Sequence, residues 1–324
     1  MTLSDLTLQE CLEYRPELPE PDDFDTFWSA TLAEATKAAA APELRPVDTG
    51  LRQVDTFDVT FSGFAGEPVH GWLHLPAGAT GPLPGVVEYL GYSGGRGLAH
   101  ERTMWAVAGY AHLVMDSRGQ GWTTVGGTPD HADDVPGGPP GVLTRGVQSP
   151  ETYYYRRMFT DAVRCAETLR DHPAIAPERV FVAGGSQGGG LSLAAAGLVP
   201  WLAGAMPDVP FLCHYRRAAE IADNGPYPEI TAYLHTYRDQ VETVFRTLSY
   251  FDGAILAKRA AAPALFSIAM MDRICPPSTC FAAYHNYAGD KDLRVYEFND
   301  HEGGGPYQQV EQLRWAAARA GLAG

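Results

Sequence analysis

Residues 180–190, VFVAGGSQGGG, decide the fold of this chain of 324 residues. An apolar, β-branched run leads directly into Gly-x-Ser-x-Gly, and a small-residue helical stretch follows at 191–198. This order predicts a strand, a sharp turn and a helix, with Ser186 at the apex of the turn. Gly184 and Gly188 leave room for a strained backbone, and the positive helix end would stabilise an oxyanion. The alternative is a glycine-rich connection whose serine only caps the helix.

Strands alternate with helices along most of the chain, and no internal repeat is present. This alternation predicts an α/β fold with a doubly wound, mostly parallel sheet in a single domain, residues 1–324. The expected strands of this part are 83–89, 111–116, 180–185, 202–207, 264–271 and 293–298. The expected helices include 23–40, one that opens at Ser149-Pro150, 277–287 and 308–320.

Three segments depart from the alternation. Residues 1–45 form a proline-rich arm with an amphipathic helix, and two antiparallel strands follow at 54–61 and 69–75. The glycine- and proline-rich stretch 121–146 is expected to be a long ordered surface loop. Residues from about 208 to 262, rich in Tyr and Arg, predict a helical cap inserted over the site.

The charge and the cysteines exclude several classes of protein. The net charge is −15 with dispersed acidic residues, which argues against nucleic acid and anionic membranes as partners. The five cysteines form no Cys-x-x-Cys pair and no zinc-like spacing, so we expect no metal and reduced thiols in the cytoplasm. The first residues do not resemble a secretory signal, and no apolar run is long enough to span a bilayer.

A serine becomes a nucleophile only when a base takes its proton and an acid orients that base. In an open α/β sheet the partners should follow the carboxyl ends of strands. Asp272 follows the strand at 264–271, and His301 follows the last strand in a glycine-rich loop. The order Ser186, Asp272, His301 is that of α/β-hydrolases. We therefore predict these three as nucleophile, acid and base.

Other residues remain alternatives at this stage. Asp208, Asp252 and Asp300 compete for the role of the acid. The other histidines weighed as the base are expected to be surface or packing residues: His70, His74, His172, His214, His235 and His285. The loop at 91–97, GYSGGRG, follows a strand, so the oxyanion donors are predicted to be the backbone N–H groups of Tyr92 and Gln187.

Three blocks of the sequence resemble a known family. Arg118-Gly119-Gln120, residues 184–189 (GGSQGG) and His301-Glu302 are similar to the signature blocks of the acetyl xylan esterase/cephalosporin-C deacetylase family, carbohydrate esterase family seven. Stretches outside these blocks also match its pattern, and the similarity covers nearly the whole chain: the N-terminal arm, 91–97, 250–252, 275–279 (CPPST) and 281–284.

The resemblance implies a Ser186–Asp272–His301 triad, oxyanion donors from Tyr92 and Gln187, and no cofactor. It implies deacetylation of small acetylated sugars, such as xylo-oligosaccharides, and of cephalosporin C. It also implies a homohexamer with active sites facing an inner chamber, a form suited to a cytoplasmic enzyme. Arg118 is interpreted as a structural, bridging residue.

The chain departs from the family pattern at residues 88–90 and 270–271, which concerns the substrate range rather than the reaction class. Two other functions remain open at this stage. One is a peptidase or acyltransferase of the same fold, and the other is a catalytically inactive interaction protein.

Overall fold

The computed structural model of the chain describes residues 5–131 and 141–322. Its centre is one nine-stranded sheet with the order β1-β2-β3-β5-β4-β6-β7-β8-β9. The strands are β1 (Glu43–Val47), β2 (Val54–Ser62), β3 (Pro68–Pro76), β4 (Leu83–Tyr89), β5 (Ala111–Met115), β6 (Ile175–Gly185), β7 (Gly204–Asp208), β8 (Ala264–Ala269) and β9 (Lys291–Tyr296).

The sheet has an antiparallel and a parallel part. Strands β1, β2 and β3 pair antiparallel, and β3 joins β5 in the same way. From β5 through β4, β6, β7 and β8 to β9 every pairing is parallel. The predicted α/β fold class, with a mostly parallel sheet and antiparallel strands near the N-terminus, is confirmed.

Helices cover both faces of the sheet. They are α1 (Leu8–Glu13), α2 (Phe24–Lys37), α3 (Met104–Val107), α4 (Tyr154–Arg170), α5 (Gln187–Leu198), α6 (Tyr215–Ile221), α7 (Pro228–Thr236), α8 (Val241–Ser249), α9 (Gly253–Leu256), α10 (Pro277–Asn286) and α11 (Gly305–Ala320). The larger core lies on the face of α4 and α5. A smaller core on the other face contains Trp105 of α3 and Trp315 of α11. No helix within the described ranges combines the length and the apolar character that a membrane crossing requires.

Helices α6 to α9 lie between β7 and β8, the part of the chain for which a cap is predicted. Asp252 caps α9 by accepting a hydrogen bond from the Ala254 N–H, which starts the last of these helices. The division of residues 1–324 into one domain with an N-terminal arm and a cap stays a prediction.

The structure corrects several predicted boundaries. The helix expected to open at Ser149 begins at Tyr154, because the Thr152 and Tyr153 N–H groups both bond to the Ser149 carbonyl in a preceding turn. The strands expected at 202–207 and 293–298 are β7 and β9, each displaced by up to two residues, and α11 begins three residues before 308. In the loop at 121–146, residues 121–131 and 141–146 contain neither helix nor strand, and 132–140 lie outside the described residues.

Three elements were not expected from the sequence: α1, β1 and the short helix α3. Helix α1 starts with a capping box in which Thr7 and Glu10 bond to each other's backbone N–H groups. Strand β1 lies at the edge of the sheet and is exposed or half-buried along its length, so it lacks the apolar alternation that signals a strand.

Glycines allow the backbone to pass closely at the turn between β6 and α5. A Cβ atom added at Gly184 would come within 2.6 Å of the Tyr89 carbonyl oxygen, whereas one added at Gly185 would meet nothing within 4 Å. At Gly188 the same Tyr89 oxygen would be only 2.2 Å away. A backbone carbonyl cannot rotate aside as a side chain can. Positions 184 and 188 therefore require glycine, and position 185 does not.

We predict that Gly184→Ala lowers the free energy of unfolding by about 2 kcal/mol or more, because β4 and α5 must separate. Gly185→Ala is the matched control and should change it by less than about 1 kcal/mol. Urea titration of both variants and the wild type measures the difference. Equal effects of the two substitutions would contradict the close approach as the reason for Gly184.

Candidate active site

Ser186 sits at the junction of β6 and α5 in a strained conformation, with φ 58° and ψ −120°. Its N–H donates to the Asp208 carbonyl at 3.0 Å, and its own carbonyl accepts from Phe211 N at 2.9 Å and Gly190 N at 3.0 Å. Its side chain makes no capping hydrogen bond to α5. The alternative of a serine that only caps the helix therefore does not describe this turn, and the hydroxyl is left available.

Asp272 and His301 meet after the ends of β8 and β9. One oxygen of the buried Asp272 carboxylate accepts from Ile274 N at 2.8 Å and Cys275 N at 2.9 Å. The other lies 2.8 Å from His301 Nδ1. A carboxylate in this position favours the tautomer with the proton on Nδ1, which leaves Nε2 as a proton acceptor.

Ser186 and His301 line the same cleft, whose volume is about 790 Å³. The Cys275 sulfur lies within 4.8 Å of a side-chain oxygen of Asp272 and of a ring nitrogen of His301. Among the described residues no hydrogen bond joins Ser186 to His301. Such bonds are often long in enzymes without substrate and shorten when the substrate binds.

The three alternative acids have other partners. Asp252 accepts from the backbone N–H groups of His214 and Tyr215, and burial raises its pKa to about 6. Asp208 accepts from the side chains of Gln308 and Gln312 on α11, and Asp300 accepts from the backbone N–H of His301. None of these contacts reaches the His301 ring, so Asp272 is the carboxylate that orients it.

The same region contains the group of residues best suited to hold a metal within the described ranges, Asp272, Cys275 and His301. Their donor atoms have other roles, because one Asp272 oxygen binds the imidazole and burial raises the pKa of the Cys275 thiol well above its usual value. The donor set therefore fits an acid–base pair better than a metal centre.

The predicted oxyanion donors lie on two elements that border the cleft of Ser186. Gln187 is the first residue of α5, and Tyr92 follows β4 and lines the cleft. In the part of the chain that the structure describes, neither Tyr92 N–H nor Gln187 N–H donates a hydrogen bond. Two unused backbone donors next to a serine hydroxyl can stabilise a developing oxyanion.

Gln120 links these two elements through contacts that the sequence did not predict. Its amide nitrogen donates to the Gln187 side-chain oxygen at 2.9 Å, and its oxygen accepts from Ser93 N at 2.6 Å. The Tyr155 hydroxyl donates to the same Gln187 oxygen at 2.9 Å. Gln120 belongs to the Arg-Gly-Gln block, so the resemblance signalled its importance but not its contacts.

Glu229 of α7 holds the Tyr92 side chain and was also missed. The Tyr92 hydroxyl donates to Glu229 at 2.7 Å and accepts from Val142 N at 2.7 Å, while Leu143 N donates to the other Glu229 oxygen at 3.0 Å. Burial raises the pKa of Glu229, and the bonds from Tyr92 and Leu143 oppose this rise. Helix α7 thereby fixes the loop that carries one predicted oxyanion donor.

Arg118 is completely buried and does not line the cleft. It donates two hydrogen bonds to Asp161 of α4, at 2.5 and 2.8 Å, and a third to Glu67. Arg118 follows β5, so these contacts connect the end of β5 to α4 and to the β2–β3 connection. They fit the structural interpretation of the first signature block.

The sheet order, the strained serine turn and the cleft at the carboxyl ends of the strands define an α/β-hydrolase fold. The family model described as acetyl xylan esterase matches residues 1–319. The chain belongs to this acetyl xylan esterase family and is a carboxylic ester hydrolase, as the resemblance predicts.

Individual relatives agree with this assignment. The chain is 42% identical to an acetyl xylan esterase from Paenibacillus sp. R4, with a TM-score of 0.91 over 97% of this chain and 99% of that one. It is 31% identical to acetyl xylan esterase 1 from Thermoanaerobacterium sp. JW/SL YS485, with a TM-score of 0.90 and the same coverage. It is 27% identical to acetyl esterase Axe7A of Xylanibacter ruminicola over 89% of this chain, but it spans only 65% of that relative's length.

The raised pKa of the Asp208 carboxyl group makes the stability of the fold depend on pH. Burial raises its pKa to about 7, against the hydrogen bonds from Gln308 and Gln312. A carboxyl group whose pKa is higher in the folded than in the unfolded state stabilises the fold below about pH 4, and that contribution is lost as the pH rises to about 7. In the variant Asp208→Asn the side-chain amide carries no charge at either pH.

We therefore predict that the melting temperature of Asp208→Asn, relative to the wild type, rises by about 5 °C between about pH 4.5 and pH 8. Asp55→Asn, at an exposed position of β2, is the control. Differential scanning calorimetry over this pH range measures the difference. A difference for Asp208→Asn that does not vary with pH would contradict the raised pKa.

Proposed function

We propose that this chain is a serine esterase that removes acetyl groups from small acetylated sugars, xylo-oligosaccharides above all, through an acyl-enzyme on Ser186. The observation that carries the proposal is the 2.8 Å contact between Asp272 and His301 Nδ1, in the cleft that Ser186 also lines. Family membership supports the ester bond as the target, and the names of the three relatives support acetyl groups.

The reaction follows from these positions. The Ser186 hydroxyl attacks the acetyl carbonyl carbon while His301 Nε2 takes its proton, and Asp272 stabilises the imidazolium. The carbonyl oxygen becomes negative and is held by the N–H groups of Tyr92 and Gln187. The ester C–O bond then breaks, and the alcohol leaves with the proton from His301. Water repeats the same steps on the acetyl-enzyme and releases acetate, and these steps use only side chains, backbone and water.

Cephalosporin C is proposed as a second substrate on the resemblance alone. A peptidase or an acyltransferase could use the same three side chains, since both also form acyl-enzymes. Turnover with longer acyl esters, with peptides and with added alcohol acceptors separates these activities. Preference for acetyl esters and water supports the proposed esterase.

A cytoplasmic location is proposed from the cysteines. All five are free and buried, as expected for thiols in a reducing compartment. Burial raises the pKa of Cys165, Cys213, Cys275 and Cys280 well above the usual value. These side chains therefore stay neutral thiols, which are less reactive than thiolates.

A homohexamer is proposed from the resemblance. Large apolar side chains that are exposed after β9 and at the start of α11 favour association: Phe298 and Tyr307 are 77% and 82% exposed. Mass photometry of the purified chain should give the mass of six copies. A monomer at micromolar concentration would contradict this assembly.

For the nucleophile we predict that Ser186→Ala lowers kcat for 4-nitrophenyl acetate by about 10⁴-fold or more and keeps the wild-type melting temperature. Ser249→Ala, at the end of α8, is the control and should keep wild-type rates. Labelling by a fluorophosphonate probe should disappear only in the first variant. Near-normal turnover of Ser186→Ala would refute the assignment.

For the oxyanion loop we predict that Glu229→Gln retains more activity than Glu229→Ala, because a glutamine oxygen still accepts the Tyr92 hydroxyl. Glu229→Ala should lower kcat by about tenfold with little change in KM, since it disorders a donor that acts in the transition state. Steady-state kinetics on 4-nitrophenyl acetate measure both constants. A rise in KM at unchanged kcat in Glu229→Ala would show that Glu229 acts on substrate binding instead.

A further inference from the structure

The cleft has two sides of different chemistry. Toward the cap it is lined mainly by rings and aliphatic groups: Tyr92, Trp122, Pro226 and Ile274. On the opposite side it continues between α3 and α11, where the lining contains charged and amide side chains: Glu88, Arg102, Asp208, Gln309 and Gln312. We call this second part the polar limb. The mechanism above uses none of its side chains.

The strand register places the floor of the polar limb directly beside Ser186. Glu88 of β4 lies opposite Ala183 of β6, and Asp208 of β7 lies opposite Gly185, the residue before Ser186. Since side chains alternate along a strand, Glu88 shares the face of Val86, and Asp208 shares the face of Met206. Val86 and Met206 belong to the core beneath α3 and α11, so the limb runs down that face.

One wall of the limb is a preorganised pair of charges. The Arg102 guanidinium donates through Nη1 to Glu88, whose other oxygen lies 3.0 Å from Nε2 of the completely buried His112. Burial opposes ionisation of Glu88, but the contacts with His112 and Arg102 outweigh it and hold its pKa below the usual value. The charged carboxylate and guanidinium are therefore held in place before any ligand arrives.

Arg102 has the features of a binding residue rather than a structural one. It adopts φ 53° although it is not glycine, a conformation that costs energy and is concentrated at functional sites. Its side chain is 38% exposed, and within the described ranges its Nε and Nη2 groups donate to no protein acceptor. These N–H groups remain free to meet a ligand in the cleft.

The other wall is formed by amides of α11. Gln312 donates to Asp208 at 2.8 Å and is nearly buried, so its position is fixed. Gln309 lines the cleft, is exposed, and makes no side-chain hydrogen bond to the described residues. The limb thus offers both hydrogen-bond donors and acceptors in the cleft that Ser186 lines.

We propose that the polar limb is the subsite for the leaving alcohol and that it selects a polyhydroxylated one. Each sugar hydroxyl both donates and accepts, which matches a guanidinium beside a carboxylate and a free amide. This inference rests on the proposed esterase activity and assigns its alcohol specificity to Arg102, Glu88 and Gln309.

The experiment compares two esters with the same acyl group, monoacetylated xylobiose and 4-nitrophenyl acetate, whose leaving group has no sugar hydroxyls. The readout is the ratio of kcat/KM for the sugar ester to that for the aryl ester. Arg102→Met should lower this ratio about tenfold, as expected for the loss of a hydrogen bond from a charged donor. Gln309→Ala should lower it about threefold, as expected for the loss of a hydrogen bond from a neutral amide. Arg45→Met, at the exposed edge strand β1, is the control and should keep the wild-type ratio.

Two variants are needed because Arg102→Met leaves Glu88 without one partner and can disturb the fold, whereas Gln309 is exposed and has no such partner to lose. A lowered ratio in both supports the subsite. A wild-type ratio in both, or equal losses on the two esters, overturns it while leaving the esterase assignment intact. A wild-type enzyme that hydrolyses neither ester overturns the proposed function and the subsite together.

Discussion

The close passage of backbone at the turn between β6 and α5 is the constraint on which the site depends. The turn places Ser186 at φ 58°, and it is possible only because Gly184 and Gly188 let α5 approach the Tyr89 carbonyl. On the other side, the Ser186 N–H donates to the Asp208 carbonyl and the Ser186 carbonyl accepts from the Phe211 N–H, and these two bonds hold the strained residue. The energy stored in this turn is small compared with the core around it, so the fold can maintain a conformation that the local sequence disfavours.

Around this turn, long-range hydrogen bonds bring separate loops into one arrangement. The Gln120 side chain joins the loop after β4 to the start of α5, and Glu229 of α7 holds the Tyr92 side chain. Buried polar side chains such as these are stabilising only when each finds its partners, and here they do. Helix α7 therefore contributes to the site, since its Glu229 fixes Tyr92, which lines the same cleft as Ser186.

The three residues of the predicted triad could be singled out from the sequence because each carries a local signal. Ser186 lies in a glycine motif, and Asp272 and His301 follow strands in an order that the fold explains. The contacts of Gln120 with Gln187 and of Glu229 with Tyr92 carry no local signal, since these partners lie 67 and 137 residues away along the chain. Strand β1 was missed for a different reason, because an exposed edge strand needs no apolar alternation. Sequence patterns thus identify residues whose environment is local, and the structure adds those defined by distant contacts.

The most direct measurement of the central claim is mass spectrometry of the enzyme quenched with acid during turnover of an acetyl ester. The account predicts a covalent acetyl group on the peptide that contains Ser186, which appears within one turnover and disappears when the substrate is exhausted. Sustained hydrolysis without that adduct, or with the acetyl group on another residue, would contradict it.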